Sequence, residues 1–278
     1  MARELVRFEL EDGVAVLTLN NPGRRNALSS EVLETFKKYL DRFKEDRSVR
    51  VVVLRAEGPV FSSGHDLNEL IDRDEDSYTA VFEVCTQVME AIRLLPKPVI
   101  AQVQGLATAA GCQLVATCDL AVAAESAGFA TPGVQIGLFC TTPGVALGRA
   151  VHTKKAMEML LVGGTYTAQE ALDMGLLNDV LPKDELLPKA RELAARLAEN
   201  GPLAIRKIKE GVLRSSGCTM VEALRIEIET RSDVAEGMAY GLAGSYERIV
   251  GTAYFAVDPD NPAAYCKKGR AYLGLGND

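Results

Sequence analysis

The sequence predicts an α/β fold, and three observations carry that reading. Apolar, β-branched runs of strand length recur at Val14–Leu19, Val51–Leu54 and Val99–Val103. The last two lead into small-residue turns, Ser62-Ser63-Gly64 and Ala107 to Gly111, each followed by a segment of helical spacing. Hydrophobic residues make up 47% of the 278, ample for a large core. That length suits one large domain, or a main domain with an appendage. The net charge of −7 argues against a nucleic-acid partner, and no apolar run approaches membrane-spanning length.

In chain order, Val6–Leu10 and Val14–Leu19 alternate as a hairpin about Glu11-Asp12-Gly13. The Asn20-Asn21-Pro22-Gly23 turn then presents Arg24 and Arg25, which read either as phosphate ligands or as a solvated basic pair. Ser29 or Ser30 caps a helix through Phe43, with Val32, Leu33, Phe36, Leu40 and Phe43 on one face. Val51–Leu54 is a buried strand. Ile71–Ser77 is acidic and reads as a mobile surface segment, and a helix is expected from about Ala80 to Leu94. After the strand Val99–Val103, Cys112–Cys118 reads as a short buried helix, and a further strand starts at Asp119. Lys154–Gly163, Ala168–Gly175, Lys183–Glu199, Pro202–Val212 and Met220–Val234 carry helical patterns, with Leu177–Val180 a short strand among them.

The two small-residue turns carry the chemistry. A helix that begins with small residues leaves its first backbone N–H groups uncovered, facing whatever approaches. Such donors near His65 and Ala110 would together form an oxyanion hole; tight helix–strand packing explains the small residues equally well. Of the six cysteines (Cys85, Cys112, Cys118, Cys140, Cys218, Cys266) none forms a C-x-x-C pair or metal spacing, and most read as buried thiols in a reducing compartment. With no apolar signal segment in MARELVRFELEDG, a cytoplasmic protein is expected.

FSSGHDL and QGLATAAGCQLVATCDLAVA resemble the two oxyanion-hole motifs of the crotonase (enoyl-CoA hydratase/isomerase) superfamily. LNNPGRRNALS, Leu19 to Ser29, resembles its coenzyme A loop, and FATPGVQIGLFCTTPGVALGRAV, Phe129 to Val151, its active-site loop and following helix. The resemblance runs from about Val6 to Met238. It implies a spiral of ββα units with a C-terminal helical trimerisation region, giving a homo-oligomer that is a trimer or a dimer of trimers. It also implies an acyl-CoA thioester as substrate, with coenzyme A part of that substrate, no permanently bound cofactor and no metal. Residue by residue, it places the thioester oxygen between the N–H groups of His65 and Ala110. Coenzyme A contacts fall to Arg24, Arg25, Ala27, Ser63, His65, Asp66, Leu67 and Ala110. Asp66 and Asp119 are expected to secure turns, and His152 to be a helix-surface residue. Lys207 and Lys209 either reach a neighbour's coenzyme A phosphates or are simply solvated.

Two departures stand out. The resemblance puts the hydratase glutamates at Gln113 and Gly133, so both acids are missing. Each such group is commonly worth about 10²–10⁴ in rate, so ordinary hydration should be crippled. Three readings follow: a hydratase/isomerase-like enzyme acting through a thioester enolate, a decarboxylase of malonyl-type thioesters, or a non-catalytic acyl-CoA-binding protein. Bacterial methylmalonyl-CoA decarboxylases of this superfamily share the Gly-His-Asp wording. Cys140, Thr141 and Thr142 offer weak polar contacts in the active-site loop. The second departure is the tail, whose stretch from Tyr246 resembles parts of a tetratricopeptide repeat, with Tyr265, Gly269 and Tyr272 at matching spacing. The expected organisation is an acyl-CoA-binding core over residues 1–200, a helical oligomerisation region over 201–240 and a divergent helical tail over 241–278.

Overall fold

The computed structural model describes residues 4–138, 140–215, 226–233 and 247–253. The chain divides into two compact units, Met1–Ala198 and Glu199–Asp278.

The first unit winds between two sheets. One has six strands in the order β1 (Val6–Glu11), β2 (Val14–Leu19), β3 (Val51–Ala56), β5 (Val99–Val103), β7 (Leu120–Ala124) and β10 (Asp179–Leu181). The other has four, β4 (Val60–Ser62), β6 (Leu106–Thr108), β8 (Gly128–Ala130) and β9 (Thr165–Thr167). The chain visits them alternately. β3 and β4 precede helix α2 (Glu75–Leu94), β5 and β6 precede α3 (Ala110–Thr117), and β7 and β8 precede α4 (Thr141–Ala150). That is a spiral of ββα turns, as expected. From β2 to β10 the large sheet is parallel, with only the β1–β2 hairpin antiparallel. Parallel strands covered on both faces need apolar residues at every position, which is why Val51-Val52-Val53-Leu54 is a continuous run.

The two faces separate by strand parity. Ala15, Leu17 and Leu19 join the larger core, where α1 (Ser30–Glu45) contributes Val32, Leu33, Phe36, Leu40 and Phe43, the face read from its spacing. Val14, Val16, Val51, Val53, Ile100 and Val122 face the other way, under Leu186, Ala190 and Ala194 of α7 (Leu186–Glu199). Asp119 ties neighbouring strands at their starts: its carboxylate accepts from the Val99 N–H at 2.8 Å and its own N–H donates to the Val99 carbonyl at 3.0 Å. The remaining elements of this unit are α5 (Thr153–Val162), with exposed His152 as its N-terminal flank, and α6 (Ala168–Asp173), closed by a Thr167–Glu170 capping box.

Two expectations need correction. The acidic stretch lies on the surface as expected, but its second half is ordered as helix, because α2 already begins at Glu75. Asp74 caps it by accepting from the Ser77 N–H at 2.9 Å, and acids in a first turn suit the positive end of the helix dipole. In the second unit, α8 (Pro202–Ser215) is helical, but Ile226–Asp233 is not. It forms β11, paired antiparallel with β12, Glu247–Ala253. IEIETRSD alternates with period two, and Ile249, Val250 and Thr252 around Gly251 favour a strand over the helix implied by the repeat-like tail. Glu236 to Met238, Cys218, Cys266, Tyr265, Gly269 and Tyr272 lie outside the described residues.

Lys97 anchors the end of α1 by donating to the Phe43 carbonyl and, at 2.6 Å, to the Asp46 carbonyl. These are charge-assisted bonds at the negative end of a helix. Replacement by methionine keeps the stem and removes both. Lys97→Met should lower unfolding free energy by about 1.5–3 kcal/mol, read by urea denaturation at neutral pH.

Candidate active site

The first turn continues β4 through Ser63, Gly64 and His65, and the loop from Arg24 to Leu28 is stitched along it. Ser63 N–H donates to the Arg25 carbonyl at 3.0 Å and Leu28 N–H to the Gly64 carbonyl at 2.8 Å. The Ser62 hydroxyl donates to the Asn26 carbonyl at 2.9 Å. Asn26, 1% exposed, fastens the loop from inside. Its amide donates to the carbonyls of Glu57 (2.8 Å) and Val60 (2.7 Å), and its side-chain oxygen accepts from the Asn21 N–H at 2.8 Å.

The second turn precedes α3. Ala109 holds φ 52° and ψ −120°, a conformation that costs a residue with a Cβ about 1–3 kcal/mol. It is pinned by its N–H to the Ala130 carbonyl at 2.9 Å and by its carbonyl, which accepts from the Gln113 N–H at 3.0 Å. Ala110 is the first helical residue, so its N–H has no acceptor within the helix. The two turns touch. Gly64 sits at φ +85°, and a Cβ built there would lie 2.9 Å from the Ala109 Cβ and 3.1 Å from the Ala110 nitrogen. The absence of a side chain at residue 64 is what lets the first turn lie this close to Ala109 and Ala110.

Around this junction the ionisable groups are mostly committed. Asp66 is 7% exposed; its carboxylate accepts from the Asn68 N–H (3.0 Å) and amide (2.7 Å) and pairs with Arg24 at 2.9 Å. Burial pushes that carboxyl up, but the Asn68 bonds and the Arg24 charge outweigh it and hold it below its ordinary value. Asp66 also caps the single 3-10 turn Leu67–Glu69, which fits the structural role expected of it. Glu69 accepts from the Ser30 N–H at 2.9 Å and hydroxyl at 2.8 Å. Burial pushes the His65 imidazole below the ordinary histidine value, against the pull of the Glu69 carboxylate. The ring meets Phe82 of α2 edge-on, centroids 5.2 Å apart, and its Nδ1 is buried without a hydrogen-bond partner among the described residues. Gln113, 5% exposed on α3, likewise has a buried, unpartnered Oε1. A buried polar atom left unpaired costs about 1–3 kcal/mol, and such atoms mark places where a ligand or water belongs.

Gly133 is buried, and the space of its missing side chain is taken: a Cβ there would lie 2.6 Å from Cys140 Sγ and 2.9 Å from the Leu138 carbonyl. Cys112 is buried, and burial pushes its thiol up to about 12, with Cys140 adding to the shift. Burial alone pushes Cys85 up to about 12 as well. Neither thiol is a ready nucleophile at neutral pH.

The structure therefore places Ser63, His65, Asp66, Leu67 and Ala110 on or beside two abutting turns and Arg24, Arg25 and Ala27 on the loop stitched along the first, with Arg24, Arg25 and Leu67 exposed and Ala27 buried. Gln113 lies one helical turn behind Ala110 on α3. Three participants escaped the sequence reading: Asn26, strained Ala109, and Phe82 as the neighbour of His65. Asn26 was visible only as part of RRNAL, and the strain at Ala109 has no signature in a run of small residues. Among the described residues no cluster of three or more His, Cys, Asp or Glu could hold a metal, and no helix is long and apolar enough to cross a membrane.

Comparison with known proteins identifies the family. Residues 9–242 match the enoyl-CoA hydratase/isomerase family, and the chain belongs to it. The enoyl-CoA hydratase domain-containing protein 3, mitochondrial, of Xenopus laevis is 42% identical over 226 residues, 81% of this chain and 77% of that protein. Its counterpart in Rattus norvegicus is 51% identical over 189 residues, 68% of this chain and 63% of that protein, so less than two thirds of the rat protein is spanned. The crystal structure of human enoyl-CoA hydratase domain-containing protein 3 superposes with a TM-score of 0.77 at 44% identity, covering 79% of this chain and 87% of that one. An enoyl-CoA hydratase from Mycobacterium smegmatis gives 0.77 at 42% identity, covering 80% and 87%. The cytoplasmic expectation is overturned here. Five relatives between 42% and 51% identical, from rat, mouse, frog, human and zebrafish, are all named as mitochondrial proteins.

The Arg24–Asp66 pair gives a test of how the turn is held. Asp66→Asn keeps the cap but loses the charge, so it should cost about 1 kcal/mol at pH 7. A carboxyl whose pKa is depressed on folding stabilises above its unfolded value near 3.9 and loses that contribution as pH falls through the folded one. The gap between parent and Asp66→Asn, measured by urea unfolding across pH, should therefore shrink below about pH 4.

Proposed function

We propose that this chain binds an acyl-CoA thioester with the carbonyl oxygen between the backbone N–H groups of His65 and Ala110, and stabilises the enolate that forms there. The observation that carries this reading is the contact between the two turns, with Gly64 lying against Ala109 and Ala110 at a helix start. Donors fixed before the reaction stabilise developing charge without reorganising, and removing one such donor typically costs about 10²–10³ in rate. Arg24 and Arg25, exposed on the loop stitched to the first turn, are suited to the coenzyme A phosphates, with Ala27, Ser63, Asp66 and Leu67 lining the approach. Coenzyme A enters as part of the substrate, and no permanently bound cofactor is invoked.

Simple hydration is not the reaction this arrangement favours. Gln113 orients a water but does not take its proton, and Gly133 offers no side chain. Isomerisation or decarboxylation, in which the enolate itself is the main burden, fits the residues better. We place the protein in mitochondria by its likeness to relatives named so, and infer a homotrimer or a dimer of trimers. Ile208 and Val212, one turn apart on α8, are each 65% exposed, an apolar stripe that a partner would cover. Residues 201–240 then supply oligomer contacts beyond the acyl-CoA-binding core of residues 1–200. Sedimentation at micromolar concentration should give a species well above 29.9 kDa; a single species at that mass overturns the oligomer.

The reading is tested by binding and by rate. A non-reactive acyl-CoA analogue should bind with its thioester carbonyl stretch shifted to lower frequency, and Ala110→Pro, checked for folding, should abolish that shift. Crotonyl-CoA hydration, followed by loss of enoyl absorbance, should stay far below the order of 10 s⁻¹ usual for enzymes. Gln113→Glu alone should recover less than about 10²-fold, because the second acid position remains filled by the Cys140 thiol. Hydration by the parent at ordinary enzyme rates would sink the argument from the absent acids.

A further inference from the structure

We propose that the His65 imidazole is the group that takes and returns the α-proton of the bound acyl chain, in addition to the backbone N–H that the same residue lends to the carbonyl oxygen. This rests on the thioester placement argued above. An acyl group whose carbonyl is held at the His65–Ala110 junction puts its α-carbon one bond from that oxygen's carbon, beside the side chains of the same two turns. The other ionisable groups here are spoken for. Asp66 is engaged by Arg24 and Asn68, and Glu69 by the N–H and hydroxyl of Ser30. Cys112 is buried, and Gln113 and Gly133 bear no acid. His65 remains: its ring is hydrogen-bonded to the Leu28 backbone and set edge-on against Phe82, which leaves Nδ1 as the nitrogen without a partner among the described residues. Burial holds the imidazole below its ordinary pKa, which keeps it in the neutral form a base requires.

The step balances within the site. The α-C–H bond breaks and its proton goes to the imidazole nitrogen, giving imidazolium. The bonding pair moves into the thioester, and the charge arrives on the oxygen between the two backbone donors. Return of the proton to the α-carbon reverses the step; delivery to the γ-carbon of a 3-enoyl chain moves the double bond. The substrates this selects are acyl-CoA thioesters with an activated α-hydrogen and no demand for water.

The experiment uses but-3-enoyl-CoA with the full chain in deuterium oxide, following label in the acyl group by mass spectrometry. The parent should incorporate deuterium faster than the uncatalysed solution. His65→Ala keeps the backbone N–H and should exchange at least about 10²-fold more slowly, with its dissociation constant for but-3-enoyl-CoA unchanged and exchange partly restored by added imidazole. His65→Gln, closer in size, should show the same loss and decides the matter if the alanine variant does not fold. Exchange by these variants at the parent rate, or a parent that binds the thioester without labelling it, overturns the proton role and leaves the thioester placement standing. A parent that fails to bind but-3-enoyl-CoA overturns both.

Discussion

The candidate site depends on the approach of Gly64 to Ala109 and Ala110, and the architecture around it works to permit that contact. A large parallel sheet buried on both faces provides the rigid layer from which successive turns of the spiral leave. The second sheet collects those turns side by side, so that a strand end from one ββα unit abuts the helix start of the next. Gly111 repeats the theme one residue further on, where a Cβ would lie 2.5 Å from the Ser62 carbonyl oxygen. The strain at Ala109 is then the cost of aiming a helix N-terminus at its neighbour, and it persists because hydrogen bonds to Ala130 and from Gln113 hold both sides of the residue.

That frame also separates binding from proton handling. The donors proposed for a thioester oxygen are backbone N–H groups, which side-chain replacement does not remove. The acids that would manage water come from side chains, which it does. On that proposal, Gln113 and Gly133 would change what the site does to an acyl group without dismantling the place that holds it. Asp66 shows the complementary economy: a carboxylate next to the site is spent on Arg24 and Asn68, and so steadies the turn that presents His65.

Much of this was legible in the residues. The buried face of α1 follows from helical spacing alone, and Val51–Leu54 and Val99–Val103 are too short and too apolar to be anything but covered strands. The family wording located both turns. What could not be read was contact between segments distant in the chain: the Asn26 network, the edge of Phe82 on His65, and the abutment of Gly64 on Ala110. Local signals misled where two patterns overlapped. The acids ahead of Ser77 are exposed, as they read, yet they open a helix: Asp74 among them is the cap of α2. Ile226–Asp233 satisfies a helical window and a strand alternation at once, and strand pairing with Glu247–Ala253 prevailed.

The thiol that fills the space beside Gly133 bears on which substitutions this position can accept. With Cys140 Sγ 2.6 Å from where a Cβ would stand, any side chain gained at residue 133 meets an occupied volume, whatever its chemistry. A glutamate arising there first would be selected against for packing before its carboxylate could be of use. An acid at residue 133 therefore needs an accompanying shift at Cys140 or in the loop around Leu138 before it fits. Packing, and not only the identity of one residue, keeps this position without a carboxylate.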